Sequence, residues 1–141
     1  MLVEDIMSKK LVTADIDETV REACDKYRDH KIGCLVVTDK DQIAGLITER
    51  DIIERTICMD RNPSTTKIKE IMSTDIKTVD SFDRIEGALE IMKKNKIKKI
   101  PVVSNGHLVG IITITDIAYT RPSIKKFLEL REGNIPENKF L

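Results

Sequence analysis

The stretch Gly45-Leu46-Ile47-Thr48-Glu49-Arg50-Asp51 returns 65 residues later as Gly110-Ile111-Ile112-Thr113-Ile114-Thr115-Asp116. Each copy reads as an apolar strand that ends on a threonine and runs into a helix opening with an acid. At the same offset, residues 3–56 lie on 68–121 without a gap. Ile6-Met7-Ser8 falls on Ile71-Met72-Ser73, Thr13 and Asp15 on Thr78 and Asp80, and Lys31-Ile32 on Lys96-Ile97. With Ala23/Ala88, Val37/Val102 and Ile52/Ile117 the register holds 14 identities in 54 positions. Self-similarity at a fixed period marks a duplicated structural unit.

The copies also share their hydrophobic pattern. Val20, Ala23, Cys24 and Tyr27, and in parallel Ile85, Ala88, Leu89 and Met92, fall at i, i+3, i+4 and i+7. That spacing predicts a helix with one apolar stripe in each unit. Asp17 and Asp83 precede the stripes as candidate N-caps. Branched runs at Cys34–Val37 and Ile100–Val103 then read as strands. Polar turns follow, Asp39–Gln42 and Ser104–His107, the second carrying the hairpin dipeptide Asn105-Gly106. Second strands are expected at Ile43–Thr48 and Leu108–Thr113, second helices from near Arg50 and Thr115, and short extended pieces near Val12-Thr13 and Lys77-Thr78. The expected class is an α/β (α+β) fold of two pseudosymmetric helix-strand-strand-helix units packed through their sheets. The boundaries are 1–59 for the first unit, 60–66 for a linker, 67–121 for the second unit and 122–141 for a tail. Within the tail, Ile124–Leu130 has helical character.

Composition limits the function. Lys+Arg and Asp+Glu both number 24 in 141 residues, so the formal net charge is zero. A nucleic-acid binder of this size normally carries a strong basic surface, and aromatic residues for base stacking are only 4%. Cys24, Cys34 and Cys58 are odd in number, lack metal-type spacing and sit among apolar residues; buried free thiols in a reducing, cytoplasmic compartment are expected. Neither a membrane-length apolar run nor a signal-peptide core is visible. His30 and His107 fall in expected loops without ligand-spaced partners, and no nucleophile or phosphate-loop motif occurs. The sequence therefore predicts no catalytic residues, no metal and no cofactor.

Thr48-x-x-Asp51 and Thr113-x-x-Asp116 admit two readings. In one, the threonine caps the following helix and the acid offsets its dipole. In the other, the ionised aspartate, an acceptor only, takes the two hydroxyls of a ribose while the helix start receives a phosphate. The geometries are compatible.

The duplicated order of elements, the phrases 45–51 and 110–116, the openings Asp5-Ile6-Met7-Ser8 and Glu70-Ile71-Met72-Ser73, and the strand Lys99-Ile100-Pro101-Val102-Val103 together resemble the cystathionine-β-synthase (CBS) domain family over about residues 3–120. The resemblance implies a Bateman module, a disc of two repeats with two clefts that in relatives hold AMP, ADP, ATP or S-adenosylmethionine. It also implies a stand-alone regulatory sensor that acts on a separate protein partner; an interaction module with vestigial clefts is the alternative. By family register, one cleft would join Thr113, Asp116, Lys98 and Lys99 with Met7, Val12, Ile32 and Gly33. The other would join Thr48, Asp51, Gly33 and Cys34 with Met72, Lys77, Ile97 and Lys98, with Arg50 as a supplementary cation. Val36 stands where the family strand has its proline, so the Thr113 cleft is the stronger candidate. Ile52, Ile53, Ile57, Ile117 and Ala118 are the expected homodimer face.

Overall fold

The computed structural model describes residues 1–122 and 126. Its first sheet takes the order β1-β2-β3, with β1 (Thr13–Asp15) parallel to β2 (Cys34–Asp39) and β2 antiparallel to β3 (Gln42–Thr48). The second repeats it with β4 (Val79–Asp80), β5 (Lys99–Ser104) and β6 (His107–Thr113). Both hairpins carry the same register break, after Val37 and after Val102. Their two-residue turns require positive φ, found at Lys40 and Asp41 in one and at Asn105 and Gly106 in the other. One difference has a local cause. Pairing with β1 begins at Val36, but its equivalent Pro101 has no N–H to offer a ladder, and pairing with β4 begins at Val102.

The apolar stripes form helices α2 (Val20–His30) and α4 (Ile85–Asn95). Both end on a left-handed lysine, Lys31 and Lys96. Their starts differ from the expected caps. Thr19 caps α2, accepting the Glu22 amide at 3.2 Å while the Thr19 amide donates to Glu22 Oε2 at 2.9 Å. This reciprocal pair satisfies two free amides at once, and Asp17 is left outside, paired with Lys69. No side chain caps α4; Asp83 accepts the Asp80 amide instead. The second helices begin one residue earlier than expected, at Glu49 and Ile114, because the preceding threonines are the caps. They are α3 (Glu49–Ile52), which runs on into a π-helical turn at Ile53–Ile57, and α5 (Ile114–Ala118). His30 closes α2 and His107 opens β6, so neither lies in a loop, although both are exposed. Of the cysteines only Cys34 is buried; Cys24 is half-buried and Cys58 is exposed where the chain leaves the π-helical turn. The expected helix at 124–130 lies outside the described residues.

Each core is completed by the opposite repeat. The first core gathers Ala14, Val20, Ala23, Leu35, Val37 and Ile47, and adds Ile68 and Ile71 from the head of the second repeat. The second gathers Val79, Ala88, Met92, Ile100, Val102 and Ile112, and adds Val3 from the short helix α1 (Val3–Ile6). Beyond α1, Ser8 pairs with Ile111 through two backbone bonds of 2.8 and 3.0 Å; Ser73 pairs with Leu46 through two of 2.9 Å. A single repeat would therefore leave its core open on one side, which explains why the unit comes as a pair.

Met7 and Met72 lie flat on glycines in these seams. A Cβ at Gly110 would stand 2.8 Å from Met7 Sδ and 2.8 Å from the Ser8 carbonyl oxygen, and the latter is backbone held by the Ile111 amide. Gly110→Ala is therefore expected to cost about 1–3 kcal/mol through overpacking. A urea midpoint equal to that of the native protein would show that the α1 segment is not anchored there.

Candidate functional site

Both Thr-x-x-Asp motifs are closed capping boxes. Thr48 Oγ1 accepts the Asp51 amide at 3.3 Å, and Asp51 Oδ2 accepts the Thr48 amide at 3.0 Å and hydroxyl at 3.1 Å. Thr113 Oγ1 accepts the Asp116 amide at 3.1 Å, and Asp116 Oδ2 accepts the Thr113 amide at 2.8 Å. The capping reading of these residues is thus realised in both repeats. It uses one carboxylate oxygen in each, and the surroundings of the other oxygen differ.

Asp116 opens onto a depression of about 350 Å³ that it shares with Met1, Ile6, Tyr119 and Thr120. Among the described residues no cation comes within ion-pair distance of it. The Asp51 side chain is 14% exposed, and Arg55 Nε stands 3.9 Å from Oδ1. Beneath it the Tyr27 hydroxyl donates to the Ile47 carbonyl at 2.6 Å. Burial, reinforced by the nearby carboxylates of Glu49 and Asp51, pushes the Tyr27 hydroxyl far above its ordinary pKa, so it remains a neutral donor.

Met7 lies on Gly110, three residues before Thr113, and Met72 lies on Gly45, three residues before Thr48. Lys99 is the strand partner of Thr113, and Cys34 that of Thr48. The Lys99 ammonium reaches across to the first repeat and lies over Gly33, where any Cβ would collide with it. Burial raises the Cys34 thiol pKa, and the Lys99 charge opposes that shift. A side chain at position 33 would have to displace that flexible ammonium.

Other candidates are placed apart. Lys98, adjacent to Lys99 in sequence, faces the opposite way and rims an apolar depression of about 480 Å³ with Leu89, Met92, Lys93, Lys96, Ile97 and Ile114. Val12 and Ile32 pack against the first core, Ile97 against the second. Lys77 pairs with Asp75 at 3.3 Å and lines a separate depression with Ile91, Lys94 and Asn95 of α4. Arg50, 82% exposed, turns outward to Glu54 at 2.7 Å. The cation beside Asp51 is Arg55, which the sequence reading passed over; its only sequence signal is the i, i+4 spacing from Asp51. Of the expected dimer face, Ile52 and Ile117 turn inward to the cores, while Ile53 and Ile57 stand 55% and 57% exposed.

No helix among the described residues is long and apolar enough to cross a membrane. Nor does any group of three His, Cys, Asp or Glu side chains come together there in a way that could hold a metal ion.

Comparison with known proteins extends these observations. An uncharacterised protein of Methanopyrus kandleri is 33% identical over 129 residues, covering 90% of this chain, which in turn spans 66% of that relative's length. Hypoxic response protein 1 of Mycobacterium tuberculosis is 33% identical over 119 residues, 84% of this chain and 83% of its own. The crystal structure of Hypoxic Response Protein I, described with two coordinated zinc ions, superposes with a TM-score of 0.79 at 32% identity over 86% of this chain and all of that one. The CBS domain pair of protein MJ0100, solved with 5-methylthioadenosine and S-adenosyl-L-methionine, superposes with a TM-score of 0.76 at 30% identity over 85% of this chain and 94% of its own. The family model of the CBS domain matches twice, at residues 3–57 and 68–122, the same two stretches that the 65-residue register and the paired sheets define. The chain belongs to the CBS domain family and carries two such domains in tandem.

Proposed function

We propose that this CBS pair is a regulatory sensor that binds an adenosine nucleotide (AMP, ADP or ATP) between its repeats and acts on a separate protein partner in the cytoplasm. One observation carries the reading. Asp116 is fixed by its capping box with one oxygen engaged, and its carboxylate opens on a depression without a facing cation among the described residues. A ribose diol is two donors in search of such an acceptor. The apolar Met7, lying on Gly110 of the strand that ends at Thr113, supports an adenine neighbour, and the Lys99 ammonium at the repeat boundary supports a phosphate. No covalent step is assigned to any residue.

The adenosine compounds held by the MJ0100 pair favour a second reading, S-adenosylmethionine itself. Lys99 argues against it, because a sulfonium cation would meet an ammonium. Thermal unfolding with adenosine, AMP, ADP, ATP and S-adenosylmethionine separates these outcomes. Saturation at a hundred times the dissociation constant adds about 2.7 kcal/mol of stability. A shift with AMP, ADP or ATP is expected. A shift confined to S-adenosylmethionine would replace the nucleotide, and no shift with any of them would leave an interaction module.

The same reading includes a homodimer. Ile53, Ile57 and Met59 form an exposed apolar surface on and after the π-helical turn, 55–66% exposed. Two-fold pairing is the simplest way to cover it. Sedimentation equilibrium is expected to give twice the 16.0 kDa chain mass, falling to one chain for Ile53→Glu/Ile57→Glu. A native mass of one chain at micromolar concentration would refute the pairing.

A further inference from the structure

At position 55 the two motifs part company: Arg55 follows the first, and its equivalent after the second is Thr120. Arg55 stands a turn beyond Asp51, with Nε 3.9 Å from Oδ1. Its Nη1 donates to the carbonyls of Ile71 at 3.0 Å and Met72 at 3.4 Å. One guanidinium thus touches both the first motif's carboxylate and the head of the second repeat, the segment that completes the first core. Thr120 cannot do this; its hydroxyl donates back to the Ile117 carbonyl at 2.7 Å. The side chain of Arg55 is 51% exposed and Nη2 has no partner among the described residues, so a donor edge remains open to solvent. A planar guanidinium edge of this kind matches a phosphate.

We propose that Arg55 sets the ligand selectivity of the Thr48 cleft, admitting ligands that bring a phosphate to the guanidinium and discriminating against neutral adenosine. The proposal rests on the nucleotide reading above. A ribose diol at Asp51 needs carboxylate acceptors, and here Oδ2 already serves the Thr48 amide and hydroxyl while Oδ1 faces Arg55. Neutral adenosine offers the guanidinium nothing in exchange for Asp51. A phosphate offers it a stronger partner, so the cation turns from a competitor for the diol's acceptor into a contact. At the Thr113 cleft Asp116 faces no cation among the described residues, so a ribose diol there meets no competitor for its acceptor.

The test isolates the Thr48 cleft by working in an Asp116→Ala background. AMP and adenosine are titrated calorimetrically into that protein and into its Arg55→Ala and Arg55→Lys derivatives, with thermal unfolding confirming that each is folded. The Asp116→Ala protein is expected to prefer AMP over adenosine by about tenfold or more, the worth of one charge-assisted hydrogen bond. Arg55→Ala should erase the preference, in part by raising adenosine affinity. Arg55→Lys should keep only part of it, because an ammonium lacks the fork. An AMP-to-adenosine ratio unchanged by Arg55→Ala overturns the proposal alone. Failure of the native protein to bind any adenosine nucleotide overturns the nucleotide reading, and this proposal with it. A ligand-free measurement checks the contact itself: amide exchange at Met72 and Ser73 should quicken in Arg55→Ala, and unaltered exchange would show that the guanidinium does not hold that segment.

Discussion

Asp116→Ala is expected to weaken adenosine-nucleotide binding by on the order of a hundredfold, and Asp51→Ala by clearly less. The ranking follows from what each carboxylate faces. Asp116 lines an open depression and has one oxygen outside its capping box, and loss of two charged hydrogen bonds to a ribose removes a few kcal/mol. Asp51 already shares its free oxygen with Arg55, so a ligand there gains less from it. Both substitutions also remove a capping acceptor, at a cost of about 1 kcal/mol in stability, which is common to the two and does not affect the ranking. Calorimetry on the folded variants reads the difference directly. If Asp51→Ala proved the more damaging, the Thr48 cleft would be the principal site.

Lys99→Ala is expected to reduce AMP and ATP affinity by about tenfold while sparing adenosine, and Lys98→Ala to leave all of them nearly unchanged. Sequence adjacency makes the two lysines look like one clamp. The structure divides them: Lys99 lies over Gly33 at the boundary between the repeats, while Lys98 rims the depression against α4. The Lys99 contribution should fade as ionic strength rises, since the side chain is only half-buried and remains open to screening. Titration of adenosine, AMP, ATP and S-adenosylmethionine at two salt concentrations checks each part. Adenosine binding as tightly as ATP, or S-adenosylmethionine binding best, would remove the phosphate role from Lys99.

The fold was legible because its signals are local and doubled. The alternation into β3 and β6, the stripes of α2 and α4, and the Asn105-Gly106 turn each reflect spacing along one segment, and the second copy repeats the first. The misplaced caps show the limit of that reasoning. Asp17 and Asp83 are good capping residues, but Thr19 with Glu22 makes a reciprocal pair that a single acid cannot match. The exchange of leading segments was not legible, since nothing within Val3–Met7 or Ile68–Met72 states which sheet they cover. The local geometry of the motifs was legible: Thr48 closes on Asp51 and Thr113 on Asp116, because strand ends and helix starts are fixed by the backbone. Arg50 and Lys77 do not join them, for long side chains choose their partners in space: Arg50 finds Glu54 and Lys77 finds Asp75. Arg55 was passed over for the same reason, its role depending on carbonyls 16 and 17 residues away in the chain.

The central claim, that a nucleotide is held by these two aspartates between the repeats, is tested most directly by titrating AMP and ATP into the native protein and into the Asp51→Asn/Asp116→Asn variant. Asparagine keeps the size and one capping oxygen of each residue but removes the charge that accepts a ribose diol. Saturable binding to the native protein and its loss in the variant, with the circular-dichroism spectrum unchanged, is the predicted result. Binding of equal affinity to both proteins would place the ligand elsewhere and contradict the account.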